Sequence, residues 1–295
     1  MDLKNSALNK PQSDREPHVK PEEFDSRYTP GELLGEGGFG SVRAGVRKAD
    51  GIQVAIKRVP KRRYDKFITI PGETHSLPLE VALMKMVSKP FLCENVLELL
   101  EWFEMSDCYF FILEWPSPCM DVYEFCKLHK GRLSEPLARH IMRQVVQAAR
   151  HCCDCGVLHR DIKAQNLLIN TDTLDVKLID FGCGELLKDT PYTRYAGTLA
   201  FCPPEWICEG KYLGRPATIW SLGVLLFDLV CGDLPFHTDE DIVFQNLPFA
   251  HGLSRGCCDL IWWCLARDPH ARPTFEELIS HKWFAGLQNK VKTQL

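Results

Sequence analysis

Several kinds of signal are missing from this 295-residue sequence, and each absence removes a class of protein. Met1 to Lys20 is polar and charged with no apolar segment, so no secretory leader is expected and the chain reads as one kept under reducing conditions. Paired CxxC spacing is absent although there are 14 cysteines. Cys152, Cys153 and Cys155 crowd the end of an expected helix and Cys257, Cys258 and Cys264 fall in another. The thiols therefore read as structural, buried or half-exposed, rather than as zinc ligands. The longest apolar run, Ile219 to Cys231, is too short to span a bilayer and carries Asp228, so it reads as a helix inside a large domain and no membrane partner is expected. Basic residues are scattered rather than striped, which removes the electrostatic footprint of a nucleic-acid binder. There are no internal repeats or low-complexity segments, which removes solenoids and propellers. What is left is the composition of an ordinary globular protein, with 45% hydrophobic residues, 25% charged residues and a net charge of -4, long enough for one large domain or two lobes.

The chemistry concentrates in one stretch, His159-Arg160-Asp161-Ile162-Lys163-Ala164-Gln165-Asn166, followed by Asp180-Phe181-Gly182. An acid, a lysine and an amide at this spacing, with a second acid before a glycine, suit phosphoryl transfer from a magnesium nucleotide to a hydroxyl. Asp161 would orient the hydroxyl and take its proton, Lys163 would sit on the transferring phosphate, and Asn166 with Asp180 would hold the metal ions. His159 reads as part of the loop scaffold rather than as a base. Either motif alone is weak, since such tripeptides occur by chance in loops and turns; their order and spacing together carry the reading. In this the sequence resembles the eukaryotic protein kinases.

Upstream, residues 1–27 show no helical or strand period and read as a flexible tail. The run Gly35-Glu36-Gly37-Gly38-Phe39-Gly40-Ser41-Val42 follows strand-like residues and leads into an alternating Ser41 to Val46, so the glycines form a hairpin rather than the opening of a helix. Val54-Ala55-Ile56-Lys57 reads as the next strand. A lysine there is buried and needs a partner, for which Glu80, in a helix from Pro78 to Val87, is the candidate. Lys61 to Ser76 reads as an irregular connection. Phe110 to Leu113 reads as a buried strand running into Glu114-Trp115-Pro116-Ser117-Pro118, a stiff linker. The kinase resemblance implies an adenine-binding backbone NH at the position of Pro116, which has none, and so implies the Glu114 carbonyl as the hinge contact. Leu137 to Gly156 reads as an amphipathic helix, and Thr218 as the opening of the buried helix.

That hinge, Cys155 to Asp161, Pro203-Pro204-Glu205-Trp206 and Val230 to Phe236 together resemble the Pim family of serine/threonine kinases, over about Tyr28 to Phe284. The resemblance implies an α+β, two-lobed fold: a β-rich N-lobe over 28–113 with one main helix, a hinge at 114–118, a helical C-lobe over 119–284 and a short tail at 285–295. It implies ATP and Mg2+ as cofactors, with Leu34, Gly35, Glu36, Gly37, Gly38, Phe39, Gly40, Ser41 and Val42 closing over the nucleotide and Ala55, Lys57, Glu80, Glu114 and Leu168 completing its site. Asp121, Glu124, Thr198 and Asp233 are then expected to face a protein substrate carrying basic residues before its acceptor Ser or Thr. Glu205 is expected to pair with Arg272. The expected state is a monomer in the cytoplasm, with the nucleus as a second compartment. Two departures from the Pim pattern stand out: Ala164 and Gln165 replace two acids in the catalytic loop, and Arg194 and Ala196 stand where the activation loop carries acids. The competing reading, a nucleotide-binding scaffold that has lost activity, gives no chemical reason to retain Lys57, Glu80, Asp161, Lys163, Asn166 and Asp180 as a set.

Overall fold

Alternating residues dominate the first part of the chain and helical periods the rest, and the computed structural model, which describes residues 21–37, 40–63, 65–89, 91–244, 247–249 and 252–285, follows that division. In chain order the elements are helix α1 (Pro21–Arg27), strands β1 (Tyr28–Gly37), β2 (Gly40–Arg47), β3 (Gln53–Pro60), β4 (Phe67–Ile68) and β5 (Leu77–Pro78), and helix α2 (Leu79–Val87). Strands β6 (Leu99–Glu104), β7 (Cys108–Glu114) and β8 (Cys119–Asp121) then lead to helices α3 (Val122–Leu128) and α4 (Glu135–Asp154). Short strands β9 (Val157–Leu158), β10 (Leu167–Asn170), β11 (Val176–Leu178) and β12 (Glu185–Leu186) precede helices α5 (Pro204–Glu209), α6 (Gly214–Cys231), α7 (Asp239–Phe244), α8 (Arg255–Cys264), α9 (Phe275–Ser280) and α10 (Lys282–Ala285). The architecture is a two-lobed α+β fold. One compact unit holds the described residues through Lys61 with Glu101–Ile112, and the other holds Arg62–Leu100 with Leu113 onward.

The first unit is built on a five-stranded sheet in the order β1-β2-β3-β7-β6. The glycine run is a hairpin, with Gly35 opposite Val42, Glu36 opposite Ser41 and Gly37 opposite Gly40. Gly38 and Phe39 lie outside the described residues. Gly40 has φ +132, and a Cβ there would overlap the Arg58 carbonyl oxygen, so no other residue fits. Residues 1–20 of the expected tail lie outside the described residues, whereas Pro21–Arg27 is helical, and Phe24, only 4% exposed, packs its ring against Tyr28, Phe103 and Phe110. One aromatic in two turns leaves no measurable period, yet burying it contributes about 1.5–3 kcal/mol.

In the second unit α6 is the central element, packed against α4 and α8. It begins at Gly214, four residues before the Thr218 start expected from sequence, because the intervening Arg215 and Pro216 suit a first helical turn although they break the apolar run. Its 18 residues are long and apolar enough by composition to cross a bilayer, and 72% of that window is buried inside the protein. The connection read as irregular over Lys61 to Ser76 contains β4, which pairs with β5 through Phe67 opposite Pro78 and Ile68 opposite Leu77. Two-residue strands carry no period to detect. Helix α2, expected with the N-lobe, groups with the second unit. Its Val87 carbonyl accepts from His151 Nε2 at 2.6 Å, and Leu83 lies so close to Gly184 that a Cβ there would meet Leu83 Cδ1 at 2.6 Å.

Candidate active site

The catalytic loop follows β9 and is shaped by its own side chains. His159 donates from Nε2 to the Ile179 carbonyl at 2.9 Å and accepts the Asp161 NH on Nδ1 at 3.3 Å. Both ring nitrogens are thereby committed to backbone, as expected of a scaffold residue. Asp161 is 4% exposed. Its Oδ1 accepts from the Thr198 NH at 2.9 Å and from Thr198 Oγ1 at 2.7 Å; its Oδ2 accepts from Asn166 Nδ2 at 2.8 Å and lies 3.0 Å from Lys163 Nζ. Lys163 also donates to Thr198 Oγ1 at 2.7 Å. Burial alone would raise the Asp161 carboxyl, but the hydrogen bonds from Thr198 and Lys163 outweigh it and hold the group below its ordinary value. The site therefore contains a buried, ionised and oriented carboxylate, which is what a proton acceptor for a hydroxyl must be.

Strand pairing brings the second acid alongside. Leu167 is opposite Leu178, and the Ile179 NH bonds the Asn166 carbonyl at 3.0 Å, so Asn166 and Asp180 leave adjacent strand ends. Asp180 has φ 65, a left-handed backbone uncommon outside glycine, and accepts the Gly182 NH at 3.2 Å. Asn166 directs its amide nitrogen to the Asp161 carbonyl and carboxylate, so the amide oxygen is not used on Asp161. Arg160, also left-handed at φ 69, donates from Nε to the Cys183 carbonyl at 2.6 Å and from Nη2 to the Gly184 carbonyl at 3.1 Å. This clamp on the backbone after Asp180 is missed by sequence reasoning, because its acceptors are carbonyls that every residue carries.

The long segment from Gly182 to Glu205 is held at both ends. Gly197 has φ +107, and a Cβ there would overlap the Arg160 carbonyl oxygen, so the segment lies directly on the catalytic loop and delivers Thr198 to Asp161. At the far end Glu205 receives Arg272 through Nη1 at 2.9 Å and Nη2 at 2.6 Å, a buried two-point pair as expected from sequence. Between them Tyr192 stacks on Tyr212 at 5.3 Å and Tyr195 on Trp206 at 5.6 Å.

The set of Asp161, Lys163 and Asn166, with Asp180 leaving the adjacent strand end, is joined here by a family match: a protein kinase domain model fits residues 28–284. The chain belongs to the protein kinase family. The kinase is 43% identical over 268 residues to the serine/threonine-protein kinase pim-2 of Danio rerio, covering 89% of this chain and 86% of that one. It is 37% identical over 264 residues to the serine/threonine-protein kinase prk-2 of Caenorhabditis elegans, covering 88% of this chain and 58% of that protein. As a member of the family it uses ATP and a divalent metal to phosphorylate proteins.

The remaining expected residues of the kinase fall as follows. In the first unit Val42 is opposite Lys57 and Ala44 opposite Ala55, so Val42, Ala55 and Lys57 share one face of the hairpin and β3. Leu34, Gly35, Glu36 and Gly37 lie on β1, and Gly40 and Ser41 on β2. In the second unit Glu80 is in the first turn of α2, and Leu168 on β10 is opposite Asp121. The Glu114 carboxylate is anchored by the Glu98 NH and Lys177 Nζ, both at 2.8 Å, and Asn170 Nδ2 donates to the Pro116 carbonyl at 3.1 Å, so the hinge backbone is fixed by side chains. Asp121 caps α3 by accepting the Glu124 NH at 2.9 Å, and Glu124 pairs with Lys127 at 2.8 Å. Asp233 follows α6, exposed, 3.5 Å from His237. Ala164, read as standing where a surface acid is missing, is 1% exposed, whereas Gln165 is exposed.

Proposed function

We propose that this kinase is a serine/threonine kinase in which Asp161 accepts the proton of the acceptor hydroxyl and Lys163 steadies the transferring phosphate. The observation that carries the reading is the Asp161 carboxylate, buried and kept ionised by Thr198, Lys163 and Asn166 within 2.7 to 3.0 Å. Lys57 holds the nucleotide phosphates, the glycine hairpin covers them, and the Glu114 carbonyl and Leu168 receive the adenine. The oxygens of Asn166 and Asp180 are hard donors suited to Mg2+, an ion that takes few protein ligands and keeps water and phosphate oxygens for the rest. When bound, the ion would neutralise phosphate charge. The relatives named as serine/threonine kinases and the position of Thr198 beside Asp161 both favour a hydroxyl of Ser or Thr as acceptor.

Basic residues before the acceptor are preferred, with Asp121, Glu124 and Asp233 as their partners, but the preference is shallow. Glu124 is engaged by Lys127, Asp121 by its helix cap, and Gln165 offers no charge. Radiolabelled phosphate transfer to a positional peptide library tests the whole reading. Asp161→Asn and Lys57→Met are expected to abolish transfer in a folded protein, and turnover like the wild type in either would reject the assignment. Gln165→Glu is expected to steepen arginine selection, each well-formed charge-assisted contact contributing about 1.5–3 kcal/mol. An acid at buried position 164 would instead bury a charge, so Gln165→Glu is the cleaner probe.

A further inference from the structure

We infer that Tyr195 is a positioning residue for the catalytic carboxylate, its hydroxyl fixing Thr198 against Asp161; the inference rests on the reading of Asp161 as proton acceptor. Tyr195 lies face to face with Trp206 at 5.6 Å and edge-on to Tyr212 at 5.9 Å. That packing needs only a ring, and phenylalanine would supply it. What tyrosine adds is the hydroxyl, which donates to the Thr198 carbonyl at 3.1 Å. The same carbonyl accepts the Phe201 NH at 3.0 Å, so both of its lone pairs are used and the peptide after Thr198 is held from two directions. From the other side of that residue, the Thr198 NH and Oγ1 both end on Asp161 Oδ1. Gly197, just before Thr198, leaves no room for a Cβ against the Arg160 carbonyl oxygen, so the backbone entering Thr198 is packed closely on the catalytic loop. An unbroken series of contacts thus runs from the Trp206 ring through Tyr195 and Thr198 to the reacting carboxylate.

Removing the hydroxyl leaves the Phe201 bond in place, so the effect is a loosening rather than a collapse. A looser Thr198 donates less well to Asp161, which then orients the acceptor hydroxyl less well.

Peptide phosphorylation by the full chain is the test. Tyr195→Phe is expected to lower kcat about two- to tenfold, the scale of one neutral hydrogen bond, with KM for ATP and for the peptide unchanged. Thr198→Ala should cost more, and adding Tyr195→Phe to it should cost nothing further, because the hydroxyl acts only through Thr198. Trp206→Phe loosens the ring stack but keeps the hydroxyl; it should lower the melting temperature with a smaller loss of kcat than Tyr195→Phe. A Tyr195→Phe enzyme with the wild-type kcat, losses that multiply in the double variant, or a Trp206→Phe loss of kcat as large as that of Tyr195→Phe would each overturn the inference. Activity persisting in Asp161→Asn would instead overturn the reading beneath it.

Discussion

Thr198 directs two donors at one oxygen of Asp161 and receives Lys163 on the same hydroxyl, so a neutral side chain sets the proton affinity of the charged one. Replacing it by valine keeps the volume and removes the hydroxyl. The Asp161 carboxyl, held below its ordinary value, should then rise, and the acid limb of kcat/KM should move to higher pH; stopped assays across pH 4 to 8 would show an unmoved limb if Thr198 had no such role. The stability contributed by these bonds has the same sign: present above the unfolded carboxyl value and lost as pH falls through the lowered folded one. At this scale the sequence was informative wherever a residue is placed through its own side chain, as Asp161, Lys163, Asn166 and Thr198, which the fold brings together, are. It was silent on Arg160, whose partners are backbone carbonyls, and on the burial of Ala164, because neither depends on a neighbouring side chain that a motif records.

Helix α6 carries one buried charge and contacts another, and their energetics are opposite. Asp228, in its last turn, has its carboxyl raised to about 6 by burial first and by the like charge of Asp233 second, with the Cys126 thiol close by. Its folded value lies above the unfolded one, so this aspartate favours the fold while protonated and loses that contribution as pH rises through about 6. Asp228→Asn should therefore raise the melting temperature at pH 7, by an amount corresponding to no more than about 3 kcal/mol, and leave it unchanged at pH 4. A lower melting temperature at pH 7 would contradict this. Arg272 sits at the other extreme. Its fully buried guanidinium binds Glu205, the Ala266 and Pro216 carbonyls, and the face of Trp220 at 5.0 Å. Glu205→Gln leaves that charge unpaired and should cost about 3–5 kcal/mol in the denaturant midpoint. This pair was readable from sequence, since two charges in matching motif positions have no other reason to be buried. Helix α1 and the β4–β5 pair were not, because elements of two to seven residues are stabilised by what they touch rather than by their own pattern.

Across the whole molecule all 14 cysteines are free thiols, and Cys208 alone is exposed. Burial raises the thiols of Cys126 and Cys264 to about 12, so they have almost no thiolate at neutral pH. Titration with a disulfide reagent should label Cys208 first and release Cys108, Cys126, Cys152, Cys153, Cys202, Cys257 and Cys264 only on unfolding; a fast phase equivalent to many thiols would contradict the fold. The sheet, the long helices and their order were legible because their periods extend over many residues, whereas the grouping of α2 with the second unit was not, since it depends on which neighbours Leu83 and Val87 meet. The activation segment runs from Gly182 to Glu205. Apart from the buried Glu205–Arg272 pair, the Thr198 bonds to the buried Asp161 carboxylate and the Lys66–Glu185 pair, the segment is fixed by uncharged acceptors: Arg160 on two carbonyls, Tyr192 on the Leu186 carbonyl, Tyr195 on that of Thr198 and glycine against backbone. Such contacts are barely screened by electrolyte, whereas exposed carboxylates such as Asp233 and Glu124 are. Raising ionic strength should therefore increase KM for a basic peptide and leave kcat nearly constant, making salt a means of separating how the enzyme holds its substrate from how it holds itself.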